Sequence, residues 1–542
     1  MQNFLKKNEN IITFIFFSSL FLVGLLIYPD FGLGLDEDNS RVNGFTSLKY
    51  FFEIFFPEYI YKINNIILVG DIYNYNEQGN GVVFDLPLAF LELILDFEDI
   101  RQVYLLRHFS NFFMFFVSVF IFYKIVNNRY DSYIIGLLGA FFLVMSPRIF
   151  AESFNNTKDI FLMSLFIVNI FLGIKFLDNP SIKTAIIFSV VSALAVDVRI
   201  IVIFFPLLVC LIHLINILRM NNFKKGKLIP LFTILIFLPI FIILFWPYLW
   251  ANPVTNFIEV FEKLSNFSHP IYNFYFGEYI SAKSLPWHYP VVWILITTPI
   301  FYTILFLIGF WFILFRLIKR LLKIEVNDSY TDLWRGKKEL NDIIFLFTFL
   351  IPMIMVIILN SSMYDGWRHL YFIYPSFLMI SLHGFYLIKN ILYTKKNLLV
   401  NLLAFTLILP TFYWMVSNHP FQNNYFNFLI GKNFNKKFEM DYWGISNKVA
   451  LEYIANDTLV YKVNVYNLNT SDLMLSKNII NKKNREKINI IYNIENADYI
   501  VNSYRDWNGF KKPQEYSVPS GFKLLYEIKV DDIPINSIYK RK

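Results

Sequence analysis

Long apolar runs separated by short polar stretches dominate most of the chain. A run of about 20 apolar residues is what an α-helix needs to cross a hydrocarbon core about 30 Å thick. The pattern therefore predicts about eleven transmembrane helices, at residues 11–28, 108–125, 133–147, 159–176, 184–197, 200–218, 229–249, 289–315, 342–359, 369–388 and 398–416. Asp197 and Arg199 separate the fifth and sixth runs. Because a charge at mid-bilayer costs roughly 2.5–3.5 kcal/mol, this pair is predicted to form the tip of a hairpin.

The positions of Lys and Arg predict the orientation of these helices. Most basic loop residues follow every second span, and the positive-inside rule places such loops in the cytoplasm. Lys6 and Lys7 precede the first span, which is long for a signal peptide and has no small-residue cleavage pattern after it. The N-terminus is therefore predicted to be cytoplasmic. The external face then receives residues 31–106, 146–158, 197–199, 250–288, 360–368 and everything after 417.

Two external regions are large enough to have structure of their own. The first external loop, 31–106, contains two short amphipathic stretches, 45–56 and 86–95, which are typical of helices that lie at a membrane interface. The chain divides into a transmembrane domain, 1–417, and a polar tail, 418–542, predicted to be a small extracytoplasmic α/β domain. The predicted tail elements are strands at 458–465 and 522–528 and a helix at 446–455.

Composition excludes several classes of function. Only 17% of the residues are charged, against about 25% in a typical soluble domain. The net charge of +8 resides largely in loops that orient the spans, so nucleic-acid binding is not predicted. A single cysteine, Cys210, allows no disulfide within the chain and no cysteine-based metal site. The sequence contains no Gly-rich phosphate loop or nucleotide-binding fingerprint.

The residues able to do chemistry lie on the external face. Asp36, Glu37 and Asp38 directly follow the first span, with Arg41 one helical turn later. External loops have no access to nucleotide sugars or ATP, but sugars carried on polyprenyl phosphate are available there. Because phosphate is a good leaving group, one carboxylate that accepts the proton of an acceptor hydroxyl and several cations that neutralise the phosphate would suffice. His269 and His288 have no metal-ligand spacing, so a divalent metal is not expected.

An ordered series of short stretches resembles the GT-C glycosyltransferases. The nearest branch is the bacterial one that resembles the protein O-mannosyltransferases (glycosyltransferase family 39) and the lipid A aminoarabinose transferase. The stretches are Asp36-Glu37, Arg107-His108-Phe109-Ser110-Asn111, Ser146-Pro147-Arg148, Glu152 to Asp159, Trp246-Pro247-Tyr248-Leu249-Trp250, Leu285-Pro286-Trp287-His288-Tyr289, Tyr364-Asp365-Gly366-Trp367-Arg368-His369 and Phe438 to Gly444. Together they extend over most of the chain.

The resemblance implies an inverting transferase of the bacterial inner membrane that uses a polyprenyl-phosphate sugar. It implies that Asp36 is the base or acceptor-positioning carboxylate, supported by Glu37, and that Arg107 contacts the donor phosphate. Asp38 leaves open which acid is the base. Charge and sidedness add further candidate phosphate ligands: Arg41, Arg148, Lys158, Arg199, Arg368 and His369.

The expected partners are the lipid-linked donor, membrane lipids and a glycan, lipid or protein acceptor, with no cofactor. The alternative is a multi-span transporter or lipid flippase, which would also need many spans and few charges. Transporters place charges or helix breaks near mid-bilayer in paired repeats. The charges of this chain lie at the ends of the predicted spans, and no internal repeat is found.

Overall fold

Helices form most of the computed structural model. It describes residues 8–75, 77, 79–218, 225–265, 270–322, 333–391, 397–458, 462–506 and 508–542. The helices up to residue 417 are α1 Glu9–Ile27, α2 Asp36–Phe55, α3 Ile60–Ile66, α4 Asp85–Leu95, α5 Ile100–Tyr130, α6 Tyr133–Val144, α7 Pro147–Asn155, α8 Asp159–Asp178, α9 Ile182–Val198, α10 Phe204–Leu218, α11 Ile229–Phe245, α12 Pro253–Ser265, α13 Tyr289–Thr297, α14 Ile300–Leu322, α15 Gly336–Ile358, α16 Tyr374–Ile391, α17 Asn397–Thr406 and α18 Leu409–Ser417. This arrangement confirms the prediction of a polytopic helical protein.

The number of spans differs from the predicted eleven. Among the described residues, eight helices are long and apolar enough to cross a membrane, or nine if the bent pair α6 and α7 is one span. If the bent pair is counted as one span, two predicted spans account for the difference between eleven and nine. The run 184–197 forms α9, which has 17 residues, and the run 398–416 is divided between α17 and α18, with Pro410 in the first turn of α18. Proline lacks the N–H that a continuous helix needs, which explains the division at α18. The prediction of about eleven spans is not confirmed.

The breaks between helices bring polar residues to one end of the bundle. Helix α9 ends at Val198, and a short 3-10 helix, Ile200–Ile203, leads into α10. This is the break predicted at Asp197 and Arg199. A 68° bend separates α6 from α7, where Pro147 occupies the first turn of α7. Another 3-10 helix, Arg368–Ile373, precedes α16. The breaks at Asp197–Arg199 and before α16 bring Arg199 and Arg368 to the same cavity as Asp36, at the start of α2.

Residues after 417 include a small domain built on one sheet. Its strands are β3 Val463–Asn467, β4 Ile488–Ile491, β5 Tyr499–Asn502, β6 Phe522–Val530 and β7 Ile533–Arg541, and its helices are α19 Ser446–Asp457, α20 Leu473–Ser476 and α21 Lys482–Lys487. A separate hairpin before α13 has strands β1 Tyr272–Tyr275 and β2 Glu278–Ser281. The strand order is β4-β3-β5-β7-β6, with β3 parallel to both neighbours and β7 antiparallel to both of its own. The predicted α/β domain is confirmed, whereas the boundary at 417/418 stays a prediction.

The sheet domain docks against the start of the first external segment. Leu33 and Tyr104 belong to the same buried cluster as Trp443 and the core of the domain. Gly32 lies so close to this domain that an added Cβ would be 2.3 Å from the carbonyl oxygen of Ile445. Only glycine permits this approach. The domain is thereby held directly above residues 34–38.

Candidate functional site

The three acidic residues Asp36, Glu37 and Asp38 form the first turn of α2. Their carboxylates have different surroundings. Asp36 is the first residue of α2, and its side chain is 45% exposed. Glu37 is buried, accepts a hydrogen bond from the Gly34 amide at 2.8 Å and lies 3.1 Å from His108 Nε2. Asp38 accepts a hydrogen bond from the Tyr104 hydroxyl. Of the three acids that the sequence left as candidate bases, Glu37 is buried, whereas Asp36 and Asp38 are both partly exposed.

Asp36 is paired with an arginine that the chain brings from far away in sequence. Arg368 Nη1 lies 3.1 Å from Asp36 Oδ2 and 3.1 Å from Asp159 Oδ2, and its Nη2 lies 3.2 Å from Asp365 Oδ2. The rings of Tyr364 and Trp443 each lie 4.7 Å from the guanidinium carbon of Arg368. A guanidinium held by several carboxylates and two rings has little freedom to turn. Arg368 therefore fixes the edge of Asp36 that it contacts.

The ion pairs continue on both sides of Arg368 as an alternating chain. Asp159 also pairs with Arg199. Asp365 also contacts Arg505 of the sheet domain at 2.6 Å, and Arg505 pairs in turn with Glu439. With Asp36, the chain contains four carboxylates and three guanidinium groups. It carries one negative charge in excess, and Asp36 is its most exposed member.

A cavity of about 470 Å³ opens beside Asp36. One part of its wall is polar and includes Asp36, Lys158, Arg199, Arg368 and His369. Another part is apolar and is formed by residues near the breaks after α9 and α15, together with side chains of α8 and α12. These apolar residues are Phe161, Ile200, Ile201, Ile203, Trp246, Phe261, Met355, Val356, Leu359 and Leu370. The cavity thus joins charged groups to a wall that suits a hydrocarbon chain.

The loop before α4 closes the polar part of the cavity. Asp197 Oδ2 accepts hydrogen bonds from the amides of Val82 and Val83 at 3.2 and 3.1 Å. Gly81 lies against the Asp197 carbonyl, where an added Cβ would be 1.9 Å away. The side chain of Lys158 reaches Asn80 in the same loop. The hairpin tip predicted from Asp197 and Arg199 therefore positions the external loop as well as the cavity.

Lys158 stands out among the cations of the cavity. Burial, together with the positive charge of Arg199, lowers its pKa to about 8. A bound anion would favour the charged ammonium form, because an opposite charge nearby offsets desolvation. The environment of Lys158 thus suits a site that receives an anionic group.

Three of the predicted phosphate ligands have other partners and do not line the cavity as the described residues define it. Arg41 binds Glu92, with its Nη2 2.6 Å from Oε1. Arg107 contacts Asp85 at 2.9 Å, and Asp85 itself lines the cavity. Burial raises the pKa of Asp85 to about 6, against the opposing effect of Arg107. Contact of Arg41 or Arg107 with a donor phosphate stays a prediction.

Arg148 is the third cation that lies away from the cavity. Its Nε donates to the Tyr425 carbonyl at 3.2 Å. The rings of Trp293 and Phe426 lie 5.3 and 4.8 Å from its guanidinium carbon. Such a position is what a packing role for arginine requires.

Several site residues were not singled out from the sequence. Asp159 is one of them, and it lies inside a resembling stretch, directly beside Lys158. That adjacency was the available signal. Asp85, Asn80 and Arg505 have no such neighbour, and nothing in the sequence marks them.

Histidine has no metal-ligand arrangement in the part of the chain that the structure describes. His288 Nδ1 lies 2.7 Å from the Tyr275 hydroxyl, and His269 lies outside the described residues. No group of three or more His, Cys, Asp or Glu side chains suited to a metal ion occurs among the described residues. Independence of a divalent metal stays a prediction.

Comparison with known families bears on the segment that carries much of the cavity. Residues 94–246 match the family model of dolichyl-phosphate-mannose-protein mannosyltransferase. The resemblance predicted from the sequence is confirmed for this segment, which contains Lys158, Asp159, Asp197 and Arg199. Together with the many apolar helices, the match indicates a membrane glycosyltransferase. No curated protein matches the chain in sequence at a significant level.

Solved structures with a related arrangement come from the archaeon Archaeoglobus fulgidus. Its oligosaccharyltransferase in the apo form is 10% identical, with a TM-score of 0.44 over 96% of this chain and 75% of that one. The same enzyme tethered to an acceptor peptide gives 13% identity and a TM-score of 0.45 over the same shares. The complex of AglB with an inhibitory peptide and a dolichol-phosphate gives 11% and 0.40, over 90% and 69%. TM-scores below 0.5 do not establish a common fold.

Proposed function

We propose that this protein transfers a sugar from a polyprenyl-phosphate donor to a hydroxyl group of a glycan, lipid or protein. The observation that supports this proposal is the cavity in which exposed Asp36 shares one space with Lys158, Arg199 and His369, beside an apolar wall. A lipid-linked sugar phosphate has the same division into an anionic headgroup and a hydrocarbon chain. A site for a soluble sugar nucleotide would have no use for the apolar wall.

The reaction assigns one task to each group. The Asp36 carboxylate accepts the proton of the acceptor hydroxyl as its oxygen attacks the anomeric carbon of the sugar. The bond between that carbon and the phosphate oxygen breaks, and the oxygen leaves with the bonding electrons. Lys158, Arg199 and His369 donate hydrogen bonds to the departing phosphate. Attack opposite the leaving group inverts the anomeric configuration.

Arg368 supports this reaction from behind Asp36. Its guanidinium is buried and is held by Asp159 and Asp365 as well as by Asp36. It keeps one carboxylate oxygen in place, so the other oxygen of Asp36 is directed to the acceptor. A fixed base is worth more than a mobile one, because misplacement by about 1 Å can cost 10²-fold in rate.

The proposed orientation places this cavity on the extracytoplasmic face of a bacterial inner membrane, with the N-terminus in the cytoplasm. The charge pattern of the loops supports it. In a Cys210→Ser background, Ser40→Cys would supply a single thiol in the cavity. A membrane-impermeant maleimide should label this thiol in intact spheroplasts. Labelling only after the membrane is opened would contradict the orientation.

The enzymatic test uses purified protein and a panel of polyprenyl-phosphate sugars. We expect one donor to be consumed, with release of polyprenyl phosphate detected by mass spectrometry, and NMR of the product should show an inverted anomeric centre. The matched control is the same sugar on a nucleoside diphosphate, which should not react. Consumption of the nucleotide sugar, a retained configuration or an inert panel would each count against the proposal.

A further inference from the structure

The sheet domain supplies one residue to the chain of ion pairs that ends at Asp36. Arg505 follows β5, and 2% of its side chain is exposed. Its Nη2 lies 2.6 Å from Asp365 Oδ1, and its Nη1 contacts Glu439. A buried guanidinium between two carboxylates is costly to form unless each partner is satisfied. This contact links the external domain to the polar wall of the cavity.

Asp365 is the junction through which Arg505 and Arg368 are connected. Its two carboxylate oxygens are divided between the arginines, with Oδ1 on Arg505 and Oδ2 on Arg368. The backbone of Asp365 is in the left-handed region, at φ 58°. Its amide donates to Asn273 Oδ1 at 3.2 Å, and Asn273 also donates to the Met363 carbonyl. Hydrogen bonds therefore hold the backbone of the loop that carries Asp365. What can change is how the Asp365 carboxylate is shared between Arg368 and Arg505.

Charge balance explains why the arginine in the sheet domain matters for Asp36. Arg368 is shared among Asp36, Asp159 and Asp365, while Arg199 offsets Asp159 and Arg505 is shared between Asp365 and Glu439. Without Arg505, the buried carboxylate of Asp365 would have Arg368 as its remaining cation among these contacts. A buried uncompensated charge attracts its remaining partner strongly. Arg368 would then be drawn toward Asp365 and away from Asp36.

We propose that Arg505 is a positioning residue: by neutralising Asp365, it leaves Arg368 available to hold Asp36 toward the cavity. The ion-pair partners of Arg505 among the described residues, Asp365 and Glu439, do not line the cavity, so Arg505 acts through Asp365 and Arg368. The inference rests on the proposed function for the meaning of Asp36. It assigns the sheet domain an indirect part in the transfer reaction, through the position of Asp36.

The decisive variants remove one charge or both. Arg505→Gln should lower kcat by about ten- to a hundredfold, the range expected when a base is misplaced by up to about 1 Å. The KM for the donor should change less than threefold, because Lys158, Arg199 and His369 are untouched. Arg505→Gln combined with Asp365→Asn should recover at least tenfold of that loss, since the neutral amide no longer withdraws Arg368. A double variant as slow as Arg505→Gln alone would overturn the inference.

A control is available in a second ion pair that joins the sheet domain to another part of the chain, the β1–β2 hairpin. Lys512 contacts Glu278 of the hairpin at 2.8 Å, but both side chains are exposed. Ion pairs between exposed side chains contribute little to stability. Lys512→Gln should therefore leave kcat and KM unchanged. Equal loss in Lys512→Gln and Arg505→Gln would mean that domain docking in general, and not Arg505, controls the rate.

A second readout does not depend on transfer. In the Cys210→Ser, Ser40→Cys protein, the rate of maleimide labelling reports the surroundings of a cavity residue one turn after Asp36. Arg505→Gln should change this rate several-fold, and addition of Asp365→Asn should restore it. If labelling responds while no donor reacts, the positioning inference stands and the proposed function fails. If donors react but neither labelling nor kcat responds, the function stands and the inference fails.

Discussion

Two networks of buried charges lie at opposite ends of α5. His108, which contacts Glu37 next to Asp36, and Arg129 are 21 residues apart on this helix, which corresponds to about 32 Å at 1.5 Å per residue. At the far end, Asp342 accepts two hydrogen bonds of 2.7 Å from Arg129 and one of 2.9 Å from Arg316. Its side chain is 2% exposed. Glu339 joins the same network through Arg316 and Arg320. Two carboxylates therefore face three arginines at this end, which has no excess of negative charge.

The network around Arg368 has the opposite balance. It contains one more carboxylate than guanidinium groups, and the most exposed carboxylate faces a cavity. Burial and close pairing are therefore common to both ends of the helix and do not identify a reactive site. The network around Arg368 differs in having an excess negative charge on Asp36, whose carboxylate is held by Arg368 and also faces the cavity.

The strongest expected difference between the ends concerns Asp36. Asp36→Asn removes the proton acceptor but keeps the size of the side chain and a contact to Arg368. General-base catalysis contributes about 10²–10⁴-fold, so we expect transfer to fall by that factor with normal yield and thermal stability. The measurement is the initial rate of polyprenyl phosphate release. Asp38→Asn, two residues away, is the control and should retain most activity; the reverse result would make Asp38 the base.

Asp342→Asn should have the opposite phenotype. Loss of one partner of a buried ion pair costs about 3–5 kcal/mol, because the remaining charge stays buried. We expect a clearly lower midpoint of thermal unfolding in detergent, with the transfer rate per folded molecule nearly unchanged. If this variant instead kept its stability and lost transfer, the far end would have to be part of the catalytic apparatus.

The pH dependence of donor binding should depend on Lys158. Its pKa is lowered to about 8, so the ammonium is charged below that pH and loses its proton above it. The donor is a phosphodiester whose single charge stays constant in this range. Loss of one charge-assisted hydrogen bond costs about 1.5–3 kcal/mol, so affinity should fall by about ten- to a hundredfold between pH 7 and 10. In Lys158→Arg, the Kd should stay flat over that range; a parallel fall would assign the titration elsewhere.

The sequence predicts those site residues whose location follows from their position along the chain, at the end of an apolar run. Asp36, Lys158, Arg199, Arg368 and His369 each lie at the end of an apolar run, and the alternation of sides places such ends on a common face. Their meeting at one cavity follows from that alternation. The breaks that place Lys158 and Arg199 follow equally from charges and proline, which cannot continue a helix in lipid.

Pairing within the long external segment is beyond such reasoning. Arg41 and Arg107, like Arg199, are basic residues on the face of the membrane predicted to be external. They nevertheless contact Glu92 and Asp85. Their partners depend on how α4 folds back onto α2 and α5, which no local pattern encodes. Arg505 lies in the polar tail, where an isolated arginine is indistinguishable from a surface residue until the domain is docked.

The smallest expected effect is that of Arg148→Gln on donor binding. It tests whether a basic residue must line the cavity, and not only be charged, to bind the donor phosphate. Arg199→Gln should weaken donor binding by about ten- to a hundredfold, through loss of a charge-assisted contact. Arg148→Gln should change the donor Kd less than twofold, because its guanidinium packs between Trp293 and Phe426 and bonds to the Tyr425 carbonyl. The Arg148→Gln substitution should instead cause a modest loss of thermal stability, since a desolvated cation–π contact contributes about 2 kcal/mol.

Titration of each variant with a fluorescent polyprenyl-phosphate analogue measures both affinities. If Arg148→Gln weakened binding as strongly as Arg199→Gln, the donor would have to reach beyond the cavity described here, and the division between reactive and packing arginines would be wrong.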